Sequence, residues 1–235
     1  MDFPDTPEEI YERSRYENYP NKVYESGFEN VLTEYLQSGN ILDFGCGQSP
    51  YIINMIEGDY RFWAVDKNLT ALGYLRKRIH DIDPEYFRKV NEVESLQSRA
   101  LDGVLFDGII LSNILHFFPE GEYQQIVADI ARVAKKGCIW YVQVHSDSHP
   151  LAHKEDTGFE KFFTKNDLSK LFPSEKYRVV YYAEEYKTST LKQCAFNKEY
   201  AETYFKDCID KDNRVSKYLK KTNSSSGIKI IIQTL

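Results

Sequence analysis

Residues 40–51 read NILDFGCGQSPY, a short apolar run that ends on the acidic Asp43 and passes through Gly45 and Gly47 to Ser49-Pro50. The run has the length and flanks of a buried strand. Ser49 suits an N-cap and Pro50 the first position of a helix, so a short helix is expected to open here and to stop at Gly58. Strand, glycine turn and helix therefore follow one another within twenty residues. This unit sets the expectation for the rest of the chain.

The same rhythm continues outward. Before it, Tyr24, Phe28, Val31, Leu32, Tyr35 and Leu36 share one face of a helix over residues 24–36, with Gly39 beyond its end. After it come a strand in RFWAVD (61–66), a helix over 69–82 closed by Pro84, a weaker strand in EYFRKV (85–90) and a fourth in FDGIILSN (106–113). A helix over 120–135 and a fifth strand in CIWYVQVH (138–145) follow. Strands that alternate with helices imply parallel pairing through right-handed crossovers, and so an open α/β sheet covered on both faces. Beyond residue 145 the pattern changes. A polar loop leads to a short helix capped by Thr164 and Asp167, then to YRVVYYAEEY (177–186) and, at the end, GIKIIIQTL (227–235). Residues 187–226 between those strands are polar and lysine-rich, close on NSSSG, and read as an insertion in one domain spanning 1–235.

Composition narrows the function. A chain of 235 residues with 42% hydrophobic content can bury an ordinary core, and its charge of −6 gives it no general attraction to nucleic acid or anionic lipid. The four cysteines, Cys46, Cys138, Cys194 and Cys208, show no paired spacing that would suggest a zinc knuckle or a disulfide framework. No window approaches the ~20 apolar residues of a membrane span, and the acidic N-terminal stretch lacks the apolar core of a signal peptide. A cytoplasmic protein is expected.

In an open parallel sheet the ligand sits at the carboxyl ends of the strands, and DFGCGQ occupies that place. A dinucleotide turn would carry a third glycine where Pro50 stands, and Asp43 would repel a pyrophosphate. The same carboxylate favours a ligand bearing ammonium or sulfonium charge, while Gly45 and Gly47 let it approach the backbone. S-adenosylmethionine carries both cations.

Asp43-Phe44-Gly45-Cys46-Gly47 resembles the first motif of the class I S-adenosylmethionine-dependent methyltransferases, and the resemblance extends over about residues 38–145. It implies a Rossmann-like, seven-stranded, mostly parallel sheet in the order 3-2-1-4-5-7-6 with an antiparallel last strand. It also implies that Asp66, nineteen residues after Gly47, accepts hydrogen bonds from both ribose hydroxyls, with Lys67 at the ribose edge. NEVESL resembles the adenine segment, which makes Glu92 the acceptor for the adenine amino group and sets Val93 against the ring. FDGIILSNILHFFP resembles the fourth-strand motif, with Asn113 orienting backbone beside the cofactor. One departure is Ser49 in place of a frequent third glycine. Within the superfamily, AVDKN and FFTKNDLSKLF look loosely like the tellurite-resistance and thiopurine-type enzymes.

SNILHFF lacks the N-P-P-Y-type sequence used on exocyclic base amines, so a small-molecule acceptor is the leading expectation. An RNA or protein methyltransferase and a non-catalytic cofactor-binding protein are the alternatives, the former supported only by the basic RVSKYLKK (214–221). His116 is the candidate general base, set against a packing role in its loop. His145, His149 and His153 recur every fourth residue, but Pro150 interrupts the register and no metal is expected. His145 and His149 instead mark one wall of the acceptor cleft. Residues 1–37, with Tyr16 and Tyr19, are expected to form a lid and helix over the cofactor, and residues 187–226 a third wall.

Overall fold

In the computed structural model, residues 6–18, 28–152, 158–188, 198, 202, 214–216 and 224–235 are described. The elements along the chain are α1 (Pro7–Asn18), α2 (Phe28–Tyr35), β1 (Ser38–Phe44), α3 (Pro50–Met55), β2 (Asp59–Val65), α4 (Leu69–Ile82) and β3 (Val90–Val93). They continue with β4 (Phe106–Ser112), α5 (Glu120–Ala131), β5 (Ala134–His145), α6 (Lys165–Leu171), β6 (Tyr177–Thr188) and β7 (Ser224–Thr234). One sheet holds all seven strands in the order β3-β2-β1-β4-β5-β7-β6. Strands β1 to β5 pair in parallel, and β7 lies antiparallel between β5 and β6. This is the seven-stranded Rossmann-like methyltransferase fold expected from the sequence.

Alternation along each strand divides the core into two layers. Ile41, Ile110, Tyr141 and Ile231 meet Leu32 of α2, Ile52 of α3 and Leu75 of α4 on one face. Leu42, Ile109, Trp140 and Ile230 meet Val127 of α5 and Leu168 of α6 on the other. Strands buried on both faces read as continuous apolar runs, which is why the central strands stand out in the sequence.

Three boundaries differ from expectation. EYFRKV is a 3-10 helix over Pro84–Lys89, because Pro84 opens it and the Asp83 carboxylate accepts the Glu85 backbone N–H at 2.9 Å; β3 begins only at Val90. Strand β5 starts at Ala134, ahead of Gly137 at φ 80°, and a register shift in the facing part of β4 accommodates the extra residues. Ser224, Ser225 and Ser226, expected within a flexible connection, pair with Thr188, Lys187 and Tyr186 and extend the β6–β7 ribbon. The remainder of the 187–226 segment lies almost wholly outside the described residues.

Candidate functional site

The glycine turn folds back on β2. The N–H groups of Gly45 and Cys46 both donate to the Val65 carbonyl, at 2.7 and 3.1 Å, and this requires left-handed backbone at Gly45 (φ 69°) and Gly47 (φ 53°). A Cβ on Gly45 would stand 2.4 Å from Ile114 Cγ1, so that position has no room for a side chain. Around Gly47 the nearest atom to such a Cβ is Arg15 Nη1 at 3.6 Å, which leaves its backbone approachable. Ser49, at φ 29°, caps α3 by accepting the Ile52 N–H at 3.0 Å and donates its hydroxyl to Asp43 Oδ2 at 2.5 Å. The serine thus supplies a helix cap and a carboxylate partner where a third glycine could supply neither.

Two carboxylates flank this turn. Asp43 is buried, and loss of hydration raises its carboxyl to about 7; the Ser49 hydroxyl opposes the rise and the Asp66 charge adds to it. Asp66, at the end of β2, accepts the Gly47 N–H at 2.7 Å on Oδ2 and the Asn68 N–H at 2.8 Å on Oδ1. Each oxygen has a further lone pair, so the carboxylate can still accept two hydroxyls. Two acids beside a bare left-handed turn form a donor-poor, acceptor-rich cradle, which fits a cationic ligand carrying a diol. Burial also pushes the Cys46 thiol well above its ordinary range, so it presents a neutral sulfur here.

Helix α1 lies over the turn and α4. Gln48 Nε2 donates to the Glu12 backbone carbonyl and to Glu12 Oε2, both at 2.7 Å, while Gln48 Oε1 accepts from Arg78 Nε at 2.8 Å. Arg78 Nη2 donates in turn to the Arg15 carbonyl at 2.9 Å. Glu12, Gln48 and Arg78 are all buried. Burial raises the Glu12 carboxyl despite the opposing charge of Arg15. Tyr16 faces α4 rather than the turn: it donates to Asp81, lies 5.4 Å from the Tyr74 ring and has Lys77 Nζ 4.1 Å from its ring centre. Tyr19 lies outside the described residues.

At the third strand, Arg76 of α4 grips both oxygens of Glu92. Glu92 pairs across with Ala64, on the face that carries α4. The Val93 side chain is in the opposite core layer, and its carbonyl accepts the Asp66 N–H at 3.0 Å. Lys67 is exposed beside Asp66. Of the residues singled out in the sequence, Asp43, Gly45, Cys46, Gly47 and Asp66 come together around one turn. Glu92 is set apart by its arginine.

At the ends of β4 and β5 a second polar region opens. Asn113, in left-handed backbone at φ 56°, donates its N–H to the Gln143 carbonyl at 2.8 Å and lines a cavity of about 150 Å³ with Gln143, His145, Glu185, Ser226 and Lys229. Next to it the Tyr51 hydroxyl lies 2.7 Å from Ser112 Oγ and 3.2 Å from the Tyr141 hydroxyl, which itself donates to Gln143 Oε1. His116 is only 1% exposed, with Phe159 edge-on and His145 at 4.0 Å between ring centres, and its Nδ1 accepts the His145 backbone N–H at 3.4 Å. His149 is buried beside His145 and Phe162. No group of three His, Cys, Asp or Glu among the described residues is arranged to hold a metal.

Tyr51, Gln143, Glu185 and Lys229 escaped the sequence reading. Lys229 alone carried a signal, a single charge inside an isoleucine-rich strand.

Residues 41–137 match the family model described as a methyltransferase domain. No curated protein matches the sequence. Among solved structures, TehB from Haemophilus influenzae superposes over 97% of this chain and 67% of its own, with a TM-score of 0.64 at 13% identity. An S-adenosylmethionine-dependent methyltransferase from Methanosarcina mazei superposes over 87% of this chain and 97% of its own, with a TM-score of 0.61 at 18% identity. The [4+2]-cyclase SpnF superposes over 88% and 79%, with a TM-score of 0.60 at 12% identity, so the fold also serves other chemistry. The methyltransferase-domain match begins in β1, takes in the glycine turn and runs to the start of β5, and with the strand order around it the chain resembles the class I S-adenosylmethionine-dependent methyltransferase superfamily.

Proposed function

We propose that the chain transfers the methyl group of S-adenosylmethionine to a small-molecule acceptor. The observation that carries this is the pair of carboxylates, Asp43 buried and Asp66 half-buried, on either side of a turn whose Gly47 backbone is open to approach. Asp66 would accept the ribose hydroxyls, Asp43 would face the methionyl cation, and Gly45, Cys46 and Gly47 would lie along the ligand backbone. Lys67 would border the ribose. Asn113, at the start of the 150 Å³ cavity, would mark the boundary between cofactor and acceptor. Arg76 holds Glu92 through one contact to each oxygen, and the remaining lone pairs would leave Glu92 able to accept an adenine amino group while staying paired.

When bound, the cofactor would supply an electrophilic methyl on a cationic sulfur. The protein's part is to align the acceptor, exclude water and remove a proton where the acceptor is a hydroxyl or an ammonium. Both imidazoles pack against rings, but His145 is half-buried and lines the cavity whereas His116 is 1% exposed, so we assign proton removal to His145 rather than to His116. A cavity of this size suits a small acceptor, and the charge of −6 disfavours a polyanionic one.

Calorimetry tests the cofactor. S-adenosylmethionine and S-adenosylhomocysteine should bind more tightly than NAD, and Asp66→Ala should weaken both by roughly tenfold or more, since charge-assisted hydrogen bonds are worth about 1.5–3 kcal/mol each. A preference for NAD, or an unaltered affinity in the variant, would overturn this assignment.

A further inference from the structure

Strand β7 runs Ile228, Lys229, Ile230, Ile231, Ile232, and every one of these side chains is buried, the lysine at 2% exposure. Lys229 stands opposite Gln143 on β5 and Ala183 on β6, on the sheet face where Ile231 closes the apolar layer. Its Nζ meets Glu185 Oε2 at 2.9 Å, at the edge of the cavity shared with Gln143, His145 and Asn113. An isoleucine or methionine at 229 would extend the apolar layer, and replacing an ion pair with a buried member by such a side chain is often neutral or stabilising. Stability alone gives no reason for the charge.

The two members of the pair are buried unequally. The Lys229 side chain is 2% exposed, whereas that of Glu185 is 32% exposed overall, although its Oε2, the oxygen on Lys229, is buried and would have to swing outward to be rehydrated. A buried ammonium must keep an anion beside it, because leaving it alone in a low-dielectric pocket is costly. An entering carboxylate can take the place of Glu185 on Lys229 and keep the lysine paired, while the displaced glutamate is rehydrated. A neutral molecule cannot make that exchange and must share the cavity with the ion pair.

From this asymmetry we infer that Lys229 is the specificity-determining cation of the acceptor pocket, that Glu185 is its exchangeable counter-ion, and that the acceptor is a small molecule bearing a carboxylate. The inference rests on the acceptor cavity proposed above. It adds the chemical class that the cavity selects. His145, on the same cavity wall, would then face the remainder of an acceptor held at its acidic end.

Benzoate and benzamide, alike in shape and different in charge, serve as probes. Their binding to the full chain is measured by calorimetry, with and without S-adenosylhomocysteine, for the wild type, Lys229→Met and Glu185→Gln. Benzoate should bind the wild type roughly tenfold or more tightly than benzamide, the ratio expected of one charge-assisted contact. Lys229→Met should lose that preference with its S-adenosylhomocysteine affinity intact. Glu185→Gln, which removes the competing anion and conserves shape, should bind benzoate several-fold more tightly, and it decides the question should the lysine variant fail to fold. Equal binding of the two probes, no binding of either, or an unchanged benzoate affinity in Glu185→Gln overturns the inference. Failure of S-adenosylhomocysteine to bind overturns the methyltransferase reading instead, and the charge preference is still read on the chain alone.

Discussion

The proposed cofactor side of the molecule is assembled from residues 43–49 and 66–68, whereas the proposed acceptor side draws Tyr51, Ser112, Tyr141, Gln143, Glu185 and Lys229 from five separate elements. On the first side the contacts are short-range and largely backbone: Gly47 N–H on Asp66, Asn68 N–H on Asp66, Ser49 across its own helix start. On the second they are side chain to side chain and span as many as ninety-two residues, as between Tyr51 and Gln143. Backbone turns tolerate few sequences and so hold one ligand in place. Side-chain networks can be rewritten without disturbing the sheet, which is how one fold accepts different substrates around a constant cofactor site.

The largest expected effect lies on the cofactor side and concerns Asp43. Its carboxyl is raised from 3.8 to about 7 in the folded chain, mainly by burial. Below the unfolded value both states are protonated and the group has no influence on folding. As pH rises from about 4 to about 7 the unfolded chain ionises first, so stability falls, by about 4 kcal/mol at roughly 1.4 kcal/mol per pK unit, and is then level. Asp43→Asn should abolish this slope and be the more stable protein at about pH 8, with little difference near pH 4; urea titrations at the two pH values measure it. A cationic ligand that faces Asp43 favours the ionised form, so saturating S-adenosylmethionine should flatten the wild-type slope as well. A variant with the wild-type slope would show that Asp43 is ionised at no cost, and the two sides would then differ less than proposed.

Gly45 gives the next largest effect. Alanine there must adopt a left-handed backbone and place its Cβ 2.4 Å from Ile114 Cγ1, against a branched side chain at the start of the loop after β4. Strain and overpacking together should lower stability by about 2–3 kcal/mol and weaken S-adenosylhomocysteine binding, because the turn can relieve the contact only by opening. Thermal unfolding and calorimetry on Gly45→Ala check both. A stable variant with full affinity would mean that Ile114 yields, and that the turn is as adaptable as the acceptor side.

This division also explains what could be read from the chain. The Asp43 to Gly47 turn and the Asp66 that follows β2 are close in sequence, and each residue type has a local reason to be there, so they were visible without coordinates. The strands buried on both faces were visible as apolar runs. The weak third strand was misplaced because Asp83-Pro84 caps a 3-10 turn that looks apolar enough for a strand. Glu12, Gln48 and Arg78 look like ordinary solvated residues until α1 is seen to bury them together. The Lys229–Glu185 pair depends on the antiparallel return of β7 beside β6, a tertiary event with no local mark beyond one lysine among isoleucines. The rings of Phe117, Phe159 and His145 around His116 come from three separate stretches of chain, so that clustering has no local mark in the sequence either.

Tyr51 tests how separate the two sides are. It belongs to α3, the helix that the glycine turn opens, yet its hydroxyl reaches Ser112 on β4 and Tyr141 on β5, and its ring meets that of Tyr141 edge-on at 5.2 Å. Tyr51→Phe keeps the ring contact and removes the hydroxyl, as does Tyr141→Phe. Each should cost about 1 kcal/mol, the usual net worth of a buried hydrogen bond with its partners left in place. If the hydroxyls act as one network, the double variant should lose less than the sum, with a coupling of about 0.5–1 kcal/mol by urea unfolding. That coupling would make Tyr51 the link through which occupation of the turn stiffens the acceptor wall. Costs that simply add, to within about 0.3 kcal/mol, would mean that α3 anchors the turn and contributes nothing to the acceptor side, so that each side could be altered without regard to the other.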